Sequence, residues 1–336
     1  MSTDARAVVA VLLTDRTRAM VLTPAAEGLL TAAARVRWAQ GPPGEWDLRE
    51  LLDGAVACLT GWGTPPITEQ ALANAPDLRL VAHTAGSIRA LVPQDAVGGR
   101  LTVCQSAGLI ADSVAELVIA QILSVLRDLP ALDAGLRTRQ GWGELRERHP
   151  GRLLGARTVG VVGASRTGRA VIGLLRAFGA RVLVADPLLT TAEADDLGVT
   201  LVELDDLLRD SEVVTLHAPL LPRTEGLLGA GELALLADGA LLVNAARGGL
   251  VDADALAAEL RSGRIRAALD VFPTEPLAPD SPWRQVPNAI LSPHTAGHTV
   301  DSHVRQGQAM VEDVVAFLRG EPPRYAVAAD SVAVLA

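Results

Sequence analysis

The chain has 336 residues, 49% of them apolar and 21% charged, enough for two domains with sizeable cores and too apolar for a disordered protein. A net charge of −9 argues against a nucleic-acid or anionic-membrane surface. The two cysteines, Cys58 and Cys104, have no companion at metal-ligand spacing, which excludes a disulfide framework and points to reduced, buried thiols in a cytoplasmic protein.

The first apolar run, residues 7–13, is too short to span a membrane and reads as a strand; no signal peptide is expected before it. Ala55-Val-Ala-Cys-Leu-Thr60 and Leu78-Arg-Leu-Val-Ala82 read as further buried strands, with a helix over 68–75 between them. Such alternation implies a parallel sheet. Ser113-Val-Ala-Glu116 has capping-box spacing and predicts a helix from 114 to about 127, stopped before Pro130. Residues 131–157 are polar and Arg-rich, contain Gly141-Trp-Gly143 and Pro150-Gly151, and predict a connecting arm. From Thr158 six apolar runs predict strands, at 159–162, 181–185, 212–216, 240–244, 267–271 and 289–292. With helices between the early runs, they match a dinucleotide-binding domain. Residues 300–320 are helical again, and 324–336 carry no readable role.

Gly163-Ala-Ser-Arg-Thr-Gly168 follows one predicted strand and precedes a helix expected over 170–178. In the usual Gly-x-Gly-x-x-Gly turn the first glycine bends the chain, the second admits the pyrophosphate, and the third packs helix on strand. Here Ser165 replaces the second. Ser165 is small, and the amides near Arg166, Thr167 and Gly168 still open a helix N-terminus suited to phosphate. Arg166 reads equally as a phosphate contact or a solvated side chain. Asp186, at the end of the next strand, suits the ribose hydroxyls and repels a 2′-phosphate, so the expected cofactor is NAD rather than NADP.

Three polar residues stand in Gly/Pro-punctuated segments further on: Arg247 in Asn244-Ala-Ala-Arg-Gly248, Glu275 in Leu269-Asp-Val-Phe-Pro-Thr-Glu-Pro276, and His294 in Leu291-Ser-Pro-His-Thr-Ala-Gly297. A planar guanidinium grips a carboxylate or polarises a carbonyl. An imidazole moves a proton, and a neighbouring acid favours its charged form and fixes its ring. Together they suit interconversion of a 2-keto and a 2-hydroxy acid. His217 also follows a predicted strand and is a rival for the proton. His294 and His298 share helical spacing, but no carboxylate completes a zinc set, so no metal is expected.

With Leu216-His-Ala-Pro-Leu220 and Thr224, Asn244-Ala-Ala-Arg-Gly248 with Val251-Asp252, Leu269-Asp-Val-Phe272 with Glu275-Pro276, and Ser292-Pro-His294 in order, the chain resembles the D-isomer-specific 2-hydroxyacid dehydrogenases. The resemblance covers nearly the whole chain. It implies an α/β protein of two domains, both parallel-sheet and Rossmann-like or flavodoxin-like, the cofactor domain (112–296) inserted into a substrate domain (1–111 and 297–336). The site would lie in the crevice between them, and residues 131–157 would form a dimerisation arm. It implies an NAD-dependent 2-keto acid reductase with Arg247, Glu275 and His294 as its catalytic residues. It places His217, Ala218, Pro219 and Thr224 in a cofactor-contacting loop and Ala245 and Ala246 beside the cofactor. Asp270 would hold the nicotinamide amide, and Ala296 and Gly297 would close over the ring. Thr84-Ala85-Gly86-Ser87, a variant of the family's Gly-x-Gly loop, would hold the substrate carboxylate as a backbone nest. Trp62 is either an apolar wall or core. Formate dehydrogenases are similar but place Gln where Glu275 stands, which argues against formate. A second reading is an NADH-sensing binding protein, like the C-terminal-binding-protein corepressors. A compact chain without disordered flanks favours the enzyme.

Overall fold

A computed structural model describes residues 6–329; the end of the expected substrate domain, 330–336, lies outside the described residues. The chain divides into two compact units. One runs through Ile110 and resumes at His298; the other is Ala111–Gly297.

In the first unit, β1 (Val8–Leu12), β2 (Arg35–Trp38), β3 (Ala55–Thr60), β4 (Leu80–His83) and β5 (Thr102–Gln105) form a parallel sheet in the order β2-β1-β3-β4-β5. The sequence predicts β1, β3 and β4, which are buried and apolar. It misses the two edges. β2 is a half-exposed Arg-Val-Arg-Trp, and β5 ends in Gln105. The outer edge of β5 is covered by the chain's own tail. Gln105 N donates to Tyr325 O at 3.2 Å and Val327 N to Val103 O at 2.7 Å. Buried Asp313 holds that tail, accepting from Arg324 N at 2.8 Å and Tyr325 N at 3.0 Å. Residues 325–327 thus protect a sheet edge from pairing with another chain. Cys58 and Cys104 are free and buried, and burial pushes the Cys58 thiol up to about 12.

In the second unit, β6 (Thr158–Val162), β7 (Arg181–Ala185), β8 (Thr200–Leu201), β9 (Val213–Leu216), β10 (Leu241–Asn244), β11 (Arg266–Leu269) and β12 (Ala289–Leu291) form a parallel sheet. The order is β12-β11-β10-β9-β6-β7-β8, so the winding reverses between β6 and β9. Open α/β sheets bind ligands at such a reversal, beyond the strand carboxyl ends. Six strands are expected and seven form, because two-residue β8 is too short to leave a pattern.

Two helices begin earlier than predicted. The long helix spans Ala107–Leu126, not 114–127, so Ser113 lies inside it and the capping-box spacing there is coincidental. The preceding Ala-Gly-Leu-Ile-Ala continues the helix instead of breaking it. This helix is long and apolar enough to cross a membrane by length and composition, and half of it is buried within the fold. The second case is Arg166–Ala177 rather than 170–178. Its cap is Ser165, whose Oγ accepts from Gly168 N at 3.3 Å. The expected arm carries helices Leu129–Arg137 and Trp142–Arg148. Leu136, Trp142 and Leu153 stand exposed along it, and Leu129 at the start of the first of these helices.

Candidate active site

The turn after β6 shows why two of its glycines are obligatory. Gly163 has φ +96, and a Cβ there would lie 2.7 Å from Ala218 N, in the segment after β9. A Cβ on Gly168 would lie 2.1 Å from Gly163 O. Ser165 has φ −60 and ψ 177, so its position needs no glycine conformation, and its side chain folds back as a cap. The amides of Arg166 and Thr167 open the helix without an intrahelical acceptor. Asp186 Oδ2 accepts from Ala164 N at 2.6 Å, and Oδ1 from Leu188 N at 2.8 Å. That ties the turn to β7 and leaves further lone pairs on both oxygens.

His217, at the winding reversal, is buried, and burial lowers it to about 3. It is neutral at ordinary pH, so it is not the imidazolium that an acid role would need. Its Nε2 pairs with Thr215 Oγ1 at 2.9 Å, while buried Nδ1 has no partner among the described residues. Thr224 shapes the following loop, donating to Pro219 O at 2.6 Å and accepting from Leu221 N at 2.8 Å.

Arg247, Glu275 and His294 follow three neighbouring strands, β10, β11 and β12. Buried Asn244 sets the first turn: its Nδ2 donates to Arg247 O at 2.9 Å and its Oδ1 accepts from Ala246 N at 3.1 Å. Arg247 Nη1 donates to Ala246 O at 2.7 Å, which fixes one edge of the guanidinium. A Cβ on Gly248 would lie 2.2 Å from the Phe272 carbonyl. Glycine is therefore what lets the Arg247 turn pack on the backbone before Glu275. Glu275 Oε1 accepts from Phe272 N at 2.8 Å, and Oε2 lies 2.5 Å from His294 Nδ1. A carboxylate only accepts, so Nδ1 carries a proton and Nε2 is left to exchange one. The His294 side chain is 52% exposed, accessible to a ligand.

His294 has φ +51, an uncommon conformation for a residue with a side chain. Its N–H donates to Asp270 O at 2.8 Å. Asp270 is fully buried directly after β11. Its Oδ1 accepts from Ser292 Oγ at 2.5 Å, Thr295 N at 2.9 Å and Thr295 Oγ1 at 3.3 Å. Its Oδ2 accepts from Ala296 N at 2.8 Å. One carboxylate thus anchors both flanks of His294.

In the first unit, the segment after β4 is pinned from three sides. Thr84 is buried, with Oγ1 donating to Thr60 O at 3.0 Å. Ser106 Oγ donates to Ala85 O at 3.2 Å. His83 bonds Thr60 Oγ1 at 2.9 Å through Nδ1 and the Ser87 backbone through its ring; burial lowers it to about 4, so it is neutral. The amides of Ala85, Gly86 and Ser87 have no backbone partner among the described residues. Trp62 is 39% exposed, with its ring edge-on to His303 at 5.3 Å, and His298 meets His303 at 4.6 Å. Trp62 is therefore not core. The sequence shows Asn244 and Ser292 only as members of quoted motifs, without a role, and passes over His83; the further signal they leave is a polar residue ending an apolar strand run.

Residues 119–296 match the family described as D-isomer specific 2-hydroxyacid dehydrogenase, NAD binding domain. The chain belongs to this family. It is 36% identical over 301 residues to D-3-phosphoglycerate dehydrogenase of Mycobacterium tuberculosis, covering 89% of this chain and 56% of that one. It therefore spans little more than half the length of that relative. It is 35% identical over 257 residues to glyoxylate reductase of Aeropyrum pernix, covering 75% of this chain and 77% of the other. Among solved structures, a phosphoglycerate oxidoreductase from Rhizobium etli matches with TM-score 0.79 and 26% identity, covering 96% of this chain and 98% of its own. A protein from Thermus thermophilus matches with TM-score 0.77 and 29% identity, covering 96% of this chain and 100% of its own. The family's cofactor fits the turn: the Gly163 cradle has no room for a Cβ, and the helix N-terminus offers its first amides to phosphate.

Proposed function

We propose that this chain reduces a small 2-keto acid to the D-2-hydroxy acid with NADH. The observation that carries the reading is the 2.5 Å Glu275–His294 pair, built on the strand next to the one that presents Arg247. NADH, when bound, supplies the hydride. Arg247 holds the substrate carboxylate and polarises the C2 carbonyl. His294 Nε2 delivers the proton to the C2 oxygen, and Glu275 stabilises the imidazolium and fixes its ring. Arg166, Thr167 and Gly168, with Gly163 and Ser165 behind them, cradle the pyrophosphate; Asp186 holds the ribose and repels a 2′-phosphate. His217, Ala218, Pro219, Thr224, Ala245 and Ala246 flank the cofactor, Asp270 holds the nicotinamide amide, and Ala296 and Gly297 lie over the ring. The unit Ala111–Gly297 is then the cofactor domain and the other the substrate domain. In the latter, the amides of Ala85, Gly86 and Ser87, with Thr84 as their buried anchor, meet the substrate carboxylate. Trp62 walls the substituent on C3.

The full chain should oxidise NADH with at least one member of a panel of 2-keto acids that includes phosphorylated and phosphonylated ones, and should use NADPH far less well. Tight NADH binding with no turnover across the panel would instead identify an NADH-sensing protein. The exposed Leu136, Trp142 and Leu153 on the 131–157 arm support a homodimer. Light scattering of the same preparation should give twice the chain mass; a monomer refutes it.

A further inference from the structure

The long helix Ala107–Leu126 carries one polar residue among its buried side chains. Ala115, Val118, Ile119, Ile122 and Val125 are buried on it, and so is Gln121, at 4% exposure. A polar amide among apolar neighbours is costly unless its groups are bonded. Gln121 Nε2 donates to Ser292 Oγ at 3.1 Å. Its Oε1 is buried without a partner among the described residues. Turning the amide over does not help. Ser292 has one proton, which goes to the Asp270 carboxylate at 2.5 Å, so its Oγ has only lone pairs to offer Gln121. The amide is half satisfied in the one orientation open to it. A leucine of similar size fills this place at less cost to the fold. What the amide adds is the bond to Ser292.

That bond leads to His294. Ser292 passes it to Asp270, and Asp270 holds Thr295 and Ala296 by their amides and His294 by its own carbonyl. A residue at φ +51 keeps that conformation only while its surroundings enforce it. We propose that Gln121 is a positioning residue for the proton-transferring imidazole. It fixes the Ser292 hydroxyl and strengthens its bond to Asp270, which in turn sets the 292–296 segment. The role rests on the reading of His294 as the proton carrier.

The test uses the full chain. Gln121→Leu should lower kcat for 2-keto acid reduction about tenfold while KM and Kd for NADH stay within about twofold. The Tm should not fall, because an unpaired buried carbonyl has been removed. Ser292→Ala should cost about the same, and the double variant no more than either. Hydrogen exchange at the Thr295 and Ala296 amides should be about tenfold faster in both variants, a readout independent of turnover. Unchanged kcat and exchange overturn the proposal. So does a kcat that falls only in step with Tm and NADH binding. His294→Gln, run alongside, separates the two ideas. If it turns over like the wild type, or the wild type is inactive, the proton assignment fails; the exchange comparison then still decides whether Gln121 holds the segment.

Discussion

Arg247→Lys should lower kcat/KM for 2-keto acid reduction by about 10²–10³-fold, or about 3–4 kcal/mol of transition-state stabilisation, with NADH affinity within about threefold of wild type. The substitution keeps the charge. It removes the planar fork that the proposed clamp needs to meet carboxylate and carbonyl together, and it replaces a preset side chain by a flexible one. Arg247 Nη1 is already engaged on Ala246 O, and Asn244 bonds the backbone on either side of that residue. The guanidinium is thus held before any substrate arrives, and a lysine ammonium inherits none of that geometry. Steady-state rates across the keto acid panel check this. A variant within about threefold of wild type would show that a point charge suffices and that the clamp assignment is wrong.

His294→Gln should lower kcat by about 10²–10⁴-fold, the range of general acid–base catalysis, and leave NADH binding intact. Glu275→Gln should cost less, about 10–10²-fold. It keeps the side chain's shape, and its amide oxygen can still accept the His294 Nδ1 proton, but the negative charge beside the imidazolium is gone. On the proposed reading Glu275 acts through His294, so the two losses should not add. The double variant should be no slower than His294→Gln alone. Additive losses would mean that Glu275 touches the reaction by another route, for instance through the Phe272 amide that its other oxygen holds.

Much of this arrangement is legible in the sequence because it depends on local pattern. Buried parallel strands such as β6, β9 and β10 are short apolar runs. The Gly163 turn announces itself by spacing, and Arg247, Glu275 and His294 by the glycines and prolines around them. What stays hidden depends on partners far along the chain. Gln121 and Ser292 are 171 positions apart and look unrelated until the fold brings them together. Short edge strands leave too few residues for a period to show, as β8 does. Ser113 misleads because four-residue spacing cannot report whether the preceding backbone is extended, as a cap must be, or already helical. Ser165 misleads in the other direction. The missing glycine looks like a defect, but the backbone there has an ordinary negative φ and the hydroxyl starts the helix.

The chain passes from one compact unit to the other between Gly297 and His298, three residues beyond His294. The Asp270 carboxylate grips the two amides just ahead of that crossover, those of Thr295 and Ala296. It acts as a splice: the backbone that carries the imidazole is fastened to the end of β11 before the chain leaves the unit.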